Sequence, residues 1–368
     1  MQFVVLCRII KIIKLKKLKI GLSLQRDEKR MAKTVRLSDI AQVVGVSTVT
    51  VSKALSGQKG VSDEMRMKIK ELADQMGYRP LSVSKAQKNN TGYNIGVIIS
   101  NKFFDKYNSF YWTMYQEVST KALAKGCFTM LEVINRQNEE ELSMPVLLSE
   151  NKVDGLIIIG VISKAYLDML VEKTKVPFMC LDFYDDDQHY DAVVTDNFFG
   201  MYRMPNHLFE MGHTKIGYVG TLLATNSITD RYFGYCKSLL EHHQTVNPEW
   251  IIHDRQIEDG RAERFEMVLP EDLPTAFACN CDIIVPKLIE ALEKRGLKVP
   301  DDISVVGFDN YLFPGMCNVG VTTYEVDVKE MARIAVVVLL KKMSGEHYKK
   351  GISIVPGKCV YKESVRRI

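Results

Sequence analysis

The chain has 368 residues, 46% of them hydrophobic, and a formal net charge of +4, which is enough length for two or three domains with cores of their own. The charge is unevenly placed: residues 1–30 hold nine Lys/Arg against two Asp/Glu and residues 31–90 hold ten against five, which leaves −8 for the remainder. A basic front end on an acidic body fits a phosphate-binding module joined to a part that does not bind nucleic acid. Eight cysteines are scattered without a C-x-x-C pair, so reduced, mostly buried thiols in a cytoplasmic protein are expected, with no metal or cofactor; a metal or redox role for the close pair Cys279 and Cys281 is the alternative.

Residues 1–32 form an extension. Its apolar runs are broken by Arg8, Lys11, Lys14, Lys16, Lys17 and Lys19, so it is no membrane span, and it lacks a secretory cleavage site. A basic amphipathic helix on a membrane is one reading. Leader sequence read in frame, disordered or loosely helical, is the preferred one, with Met31-Ala32-Lys33 as a natural start; no membrane partner is expected.

From Leu37 the pattern becomes helical. Leu37, Ile40, Ala41 and Val44 share one apolar face, with Ser38 as a candidate cap. Gly45 suits a left-handed turn. Ser47 caps a second helix whose inward residues are Val51, Ala54 and Leu55. Its outer face keeps Thr48, Val49, Ser52 and Lys53, small side chains and one cation suited to a DNA major groove. Ser62 caps a third helix with the stripe Val61, Met65, Ile69, Leu72, Ala73 and Met76, ended by Gly77.

This stretch, Val35 to Pro80 with Gly77-Tyr78-Arg79-Pro80 at its end, closely resembles the DNA-binding headpiece of the lactose/galactose repressor family. The resemblance implies double-stranded operator DNA as partner, with Arg36, Ser38, Ser47, Thr48, Val49, Ser52 and Lys53 at the DNA. It implies a helix-turn-helix domain over 33–79 and a hinge over 80–92. In that family the hinge folds on DNA and wedges a leucine into the minor groove. The matching position counted from Pro80 is Gln87, followed by Lys88. A glutamine does not unstack a base step as an apolar wedge does, so the segment reads either as a minor-groove element or as a plain linker.

From Tyr93 short apolar runs alternate with helical stretches. Ile95–Ile99, Phe128–Val133, Gly155–Ile159, Phe178–Leu181 and Val193-Val194 form one set of buried parallel strands; Ile216–Gly220, Ala276–Cys279 and Ile303–Gly307 form a second. Two sets predict two doubly wound lobes, over about 93–192 with 323–345 and about 193–322 with 346–368. Met211-Gly212-His213-Thr214-Lys215-Ile216-Gly217 and Val299–Asn310 are phrases that resemble the periplasmic-binding-protein-like sensor of the same family. The fold expected is therefore an all-α headpiece followed by a two-lobed α/β sensor over 93–368.

Ligands of open α/β sheets bind beyond the carboxyl ends of strands, where Asp182 and Asp309 fall. The resemblance implies effector contacts at Phe110, Tyr111, Asp182, Ser227, Arg231, Cys281 and Asp309. Carboxylates and a guanidinium grip neighbouring hydroxyls, and an aromatic ring covers a sugar face. Asp182 and Asp309 also read as turn or capping residues, and Phe110-Tyr111-Trp112 as lobe core. In Asn280-Cys281-Asp282 the thiol of Cys281 stands where the family commonly has an asparagine, and a thiol is a poor donor. The helical stripe Met331, Ile334, Ala335, Val338 and Leu339 reads as lobe packing or as an interface. No G-x-S-x-G, H-E-x-x-H or P-loop is present, so no enzyme is expected; His207, His213, His242 and His243 read as surface or helix-end residues. The function expected is a sequence-specific regulator, most simply a repressor, dimeric on a palindromic operator and controlled by a small molecule, expected to be a sugar. The alternative is a sugar-binding protein without regulatory output.

Overall fold

The computed structural model describes residues 37–55, 60–76, 92–103, 110–185, 190–255, 266–312 and 315–368. Arg36, Gly77–Pro80, Gln87, Lys88 and the 1–32 extension lie outside them. The chain divides into two units, 1–90 and 91–368.

Among its described residues the first unit holds three helices, Leu37–Val44, Thr48–Leu55 and Asp63–Gln75. Ile40, Ala41, Val51, Ala54, Ile69 and Ala73 are its buried centre, one or two apolar residues per turn from each helix. Gly45 sits at φ +74°, a conformation that costs other residues a steric penalty, and turns the chain between the first two helices. Ser47 caps the second helix, accepting from the Thr50 backbone at 3.1 Å, and Ser62 caps the third, accepting from Met65 at 3.4 Å. Ser38 is not a cap. The first helix already begins at Leu37, so Ser38 lies in its first turn and its hydroxyl donates to Asp39 at 3.5 Å.

The second unit contains two six-stranded sheets. Strands β1 (Asn94–Ser100), β2 (Phe128–Ile134), β3 (Gly155–Ile159), β4 (Phe178–Leu181), β5 (Ala192–Thr195) and β11 (Ile352–Val355) build the first, in the order β11-β5-β4-β3-β1-β2. Strands β6 (Ile216–Val219), β7 (Ile251–Ile252), β8 (Ala276–Cys279), β9 (Ser304–Asp309), β10 (Thr322–Glu325) and β12 (Lys358–Val360) build the second, in the order β12-β10-β9-β8-β6-β7. Pairing is parallel throughout except β10 with β12. The central strands are runs of Ile, Val and Leu buried on both faces, as sheets covered by helices on both sides require.

The chain crosses between lobes three times: after β5 into the helix Asn197–Glu210, after β10 into the helix Val328–Ser344, and between β11 and β12. Three expected lobe limits are therefore corrected, one of them at residue 323, because β10 pairs with β9 in the second sheet and the return to the first lobe follows Glu325. The first crossing follows Thr195 rather than residue 192, because β5 pairs with β4. Residues 346–368 are shared, because β11 adds to β5 in the first sheet and only the chain from β12 onward belongs to the second. The helix Val328–Ser344 packs on the helix Phe110–Leu123 and on β3, β4 and β5, with Met331, Ala335 and Leu339 fully buried; this part of the apolar stripe is lobe core. His213 is not a surface residue. It is 2% exposed, and its ring nitrogens lie 3.0 Å from Thr275 Oγ1 and from the Arg366 carbonyl, tying the C-terminal segment to the second lobe.

Candidate functional site

The outer face of the helix Thr48–Leu55 is open. Thr48, Val49, Ser52 and Lys53 are all exposed, Val49 at 60%, although valine is a residue that folding normally buries. Val51 and Ala54 hold the opposite face in the core. The helix thus presents one apolar side chain, two hydroxyls and one cation on a rigid, N-capped support.

The second site lies at the carboxyl ends of the sensor strands. Asp182 follows β4 and Asp309 ends β9, at φ +66° and +99°, a region that L residues occupy only when their surroundings hold them there. Arg231 reaches them from the helix Asn226–Glu241, which lies against the helix Asn197–Glu210 at Gly234; a Cβ on that glycine would meet the Phe198 carbonyl at 2.1 Å. All three guanidinium nitrogens are engaged. Nε donates to Asn197 Oδ1 at 2.8 Å and Nη1 to the Asn280 carbonyl at 2.6 Å. Nη2 stands 3.2 Å from Asp309 Oδ1, an ion pair without hydrogen-bond alignment. The guanidinium carbon also lies 3.8 Å from the Phe308 ring centre. From the first lobe, Tyr111 donates to Asp182 Oδ2 at 3.0 Å, while Asp182 Oδ1 is buried with no hydrogen-bond partner among the described residues. Phe110 meets Tyr111 and Tyr311 edge-on, both at 5.6 Å.

Desolvation dominates the electrostatics. Burial lifts Asp182 to about 6, against the opposing pull of Arg231 and the Tyr111 hydroxyl. Burial lifts Asp309 to about 7; Arg231 opposes this, and the like charge of Asp182 adds to it. Burial would lower Arg231, but Asp309 and Asp182 outweigh it and the group ends above its usual range. Burial raises the Cys281 thiol to about 12, so this side chain is a neutral, weak donor.

The structure thus joins Phe110, Tyr111, Asp182, Arg231 and Asp309 in one cluster. Cys281 lies close enough to the cluster for Asp309 and Arg231 to be among the groups that shift its thiol. Ser227 lies one turn before Arg231, and its hydroxyl pairs with Thr225 Oγ1 at 2.9 Å. Several participants carry no sequence signal. Asp254 and Arg255 follow the two-residue strand β7 and form a salt bridge with Nη2–Oδ2 at 2.6 Å. Asn280 Nδ2 donates to Asp254 at 2.9 Å while its carbonyl serves Arg231. Tyr184 of the first lobe donates to Asp230 of the second at 3.1–3.2 Å, and Asn226 donates to the Tyr184 carbonyl at 3.1 Å, so the lobes touch directly beside the carboxylates.

Sequence models for "Bacterial regulatory proteins, lacI family" and "Periplasmic binding protein-like domain" match residues 36–81 and 206–365. The "HTH-type transcriptional repressor PurR" of Actinobacillus pleuropneumoniae serotype 3 (strain JL03) is 31% identical over 281 residues, 74% of this chain and 81% of that protein. The chain belongs to the lacI family of bacterial regulatory proteins. Another repressor of that name, from Aliivibrio salmonicida (strain LFI1238), is 28% identical over 334 residues, covering 90% of this chain and 99% of its own. Among solved structures, the transcriptional regulator CelR–cellobiose complex shares the fold with a TM-score of 0.63 at 20% identity, over 90% of this chain and 99% of that one. This lacI-family chain is a DNA-binding transcriptional repressor with an effector-binding sensor domain; members of the family are regulators rather than enzymes. Among the described residues no helix is long and apolar enough to cross a membrane.

Proposed function

We propose that this repressor's affinity for operator DNA is set by a sugar or similar polyhydroxylated molecule held between the sensor lobes by Phe110, Tyr111, Asp182, Ser227, Arg231, Cys281 and Asp309. The carrying observation is Asp182 Oδ1, an acceptor 7% exposed at the residue level and lacking a hydrogen-bond partner among the described residues, set beside a guanidinium and a second carboxylate. Leaving such an acceptor unpaired is costly, and a ligand hydroxyl would satisfy it. The CelR neighbour, solved as a complex with cellobiose, is in keeping with a carbohydrate.

On the DNA side, Ser47, Thr48, Val49, Ser52 and Lys53 enter the major groove, with Arg36 and Ser38 at the backbone and Gln87 and Lys88 at the minor groove. One short helix face specifies few base pairs, so two copies of the chain read a two-fold operator in the cytoplasm. Calorimetry with neutral sugars on wild type and Asp182→Asn tests the sensor reading. Asparagine keeps the shape and tolerates the backbone conformation, so undiminished affinity in the variant would place the ligand elsewhere. Selection of bound sequences from random DNA tests the operator reading; recovery of no two-fold motif would count against a dimer.

A further inference from the structure

Where the two lobes meet, two guanidiniums are each paired with a carboxylate of the protein. Arg231 faces Asp309 at 3.2 Å and feels Asp182 as well. Arg255 is closed on Asp254 by a fork of contacts: Nε to both carboxylate oxygens at 3.1 Å and Nη2 to Oδ2 at 2.6 Å. Each guanidinium therefore already has its counter-charge from the protein. A third buried carboxyl, Asp282, takes the hydroxyl of Thr323 at 2.8 Å and the Tyr311 backbone N–H at 3.0 Å. Asp230 accepts from Tyr184 at the lobe contact. Lys362, whose charge reaches Asp282, is itself bound to Asn310 Oδ1 at 2.8 Å.

We infer that the cleft selects against anions: its effector is a neutral polyol or nucleoside-like molecule, and the phosphorylated or carboxylated counterpart of that molecule is rejected. The inference rests on the proposed effector site and narrows its ligand class. A phosphate placed here would face Asp182 and Asp309, while Arg231 and Arg255 already have counter-charges from the protein. To reach Arg231 it must displace Asp309, leaving a buried carboxylate without its partner. To reach Arg255 it must break a bidentate pair, the strongest ion-pair geometry available to arginine. A neutral hydroxyl has neither difficulty. It donates to Asp182 Oδ1, which has no hydrogen-bond partner among the described residues, and displaces no counter-charge. Like charges brought together in a dry cleft repel far more strongly than in water. Selection by such repulsion works against a competitor rather than for the ligand.

The test uses the full chain and matched pairs of probes: ribose with ribose 5-phosphate, glucose with glucose 6-phosphate, cellobiose with its 6′-phosphate, and adenosine with its 5′-monophosphate. Binding is read by calorimetry and by the rise in melting temperature, on wild type and Asp182→Asn. The expected result is a neutral probe that binds wild type at least ~100-fold more tightly than its phosphate ester. In Asp182→Asn the neutral probe weakens by at least ~10-fold and the gap to the ester narrows, because one repelling charge is gone. A phosphate ester that binds wild type as well as its parent, while Asp182→Asn still weakens both, overturns the charge selection and leaves the effector site standing. Unchanged affinities in Asp182→Asn overturn the site itself. A panel from which only esters bind overturns the inference, and one from which nothing binds counts against the polyol reading beneath it.

Discussion

Replacing Arg231 with methionine keeps most of the side-chain volume and removes the guanidinium that feels both Asp182 and Asp309. Arg231 is 5% exposed, so solvent does little to screen the loss. Breaking a buried pair by deleting one partner costs about 3–5 kcal/mol, and in a domain of this size that corresponds to a Tm lower by roughly 10 °C. The deficit depends on pH, and its sign follows from the carboxyls. Asp182 at about 6 and Asp309 at about 7 lie above the ordinary 3.8, so the folded sensor binds their protons more tightly than the unfolded chain. Their contribution to stability is complete below 3.8 and is lost as pH rises through 6 and 7. In the variant only the Tyr111 hydroxyl on Asp182 and the charge of Arg255 on Asp309 still pull downward, so both values climb, and each carboxyl forced to ionise costs about 1.4 kcal/mol per further pH unit. Thermal melts of the ligand-free protein from pH 5 to 8.5 should show a small deficit at pH 5 that widens toward pH 8. An equal deficit across that range, or a Tm within about 2 °C of wild type at pH 8, would refute the account of Arg231 as the counter-charge of a buried carboxylate pair.

Lys53→Ala should weaken operator binding and flatten the dependence of log affinity on log salt by about one unit if Lys53 meets a phosphate; titrations between 50 and 200 mM salt check this, and an unchanged slope with relaxed preference at one base pair would assign Lys53 to a base instead. Tyr184→Phe removes the hydroxyl that joins the lobes through Asp230 and should increase the ligand-free open population, raising the radius of gyration in solution scattering and weakening effector binding severalfold; an unaltered radius would mean that the contact does not hold the cleft closed. Gln87→Leu should increase DNA bending and selectivity for a flexible central base step, because an apolar wedge unstacks bases as glutamine does not; equal bending by both proteins in gel-shift assays would place residue 87 outside the groove.

The parts legible in the sequence are those whose physics is local. Strands β1, β3, β8 and β9 are uninterrupted apolar runs because both sheet faces are covered, and the caps Ser47 and Ser62 announce the helices they begin. Strand β10 is hidden because its burial is polar. Thr322 and Thr323 are fully buried with hydroxyls donated to the Lys362 carbonyl and to Asp282, so hydropathy reads them as surface. Strand β7 is two residues long, too short for any periodicity, and Asp254 and Arg255 at its end are hidden with it. The misplaced lobe limits have the same origin. A strand such as β11 is assigned to a sheet by its pairing partner, 160 residues away, and no local pattern carries that information. Asp182 and Asp309 are legible by contrast, since the rule that ligands sit past strand carboxyl ends needs only the strands.

Those two aspartates also show why this cleft suits a switch. Each is held at positive φ, each is pushed by burial toward its protonated form, and Asp182 keeps an oxygen without a hydrogen bond among the described residues. Separately these are modest costs, of the order of 1–3 kcal/mol each. Together they make this arrangement of the two lobes less favourable than their packing alone would produce. Under the proposed reading, a bound polyol would relieve the unpaired oxygen and would have no comparable target once the lobes part, because the cluster draws Asp182 and Tyr111 from one lobe and Arg231 and Asp309 from the other. On that reading the ligand's differential affinity for the closed form would come from groups that stand opposite one another only when the lobes are together, and such a difference is the whole of what an effector can contribute to a conformational equilibrium.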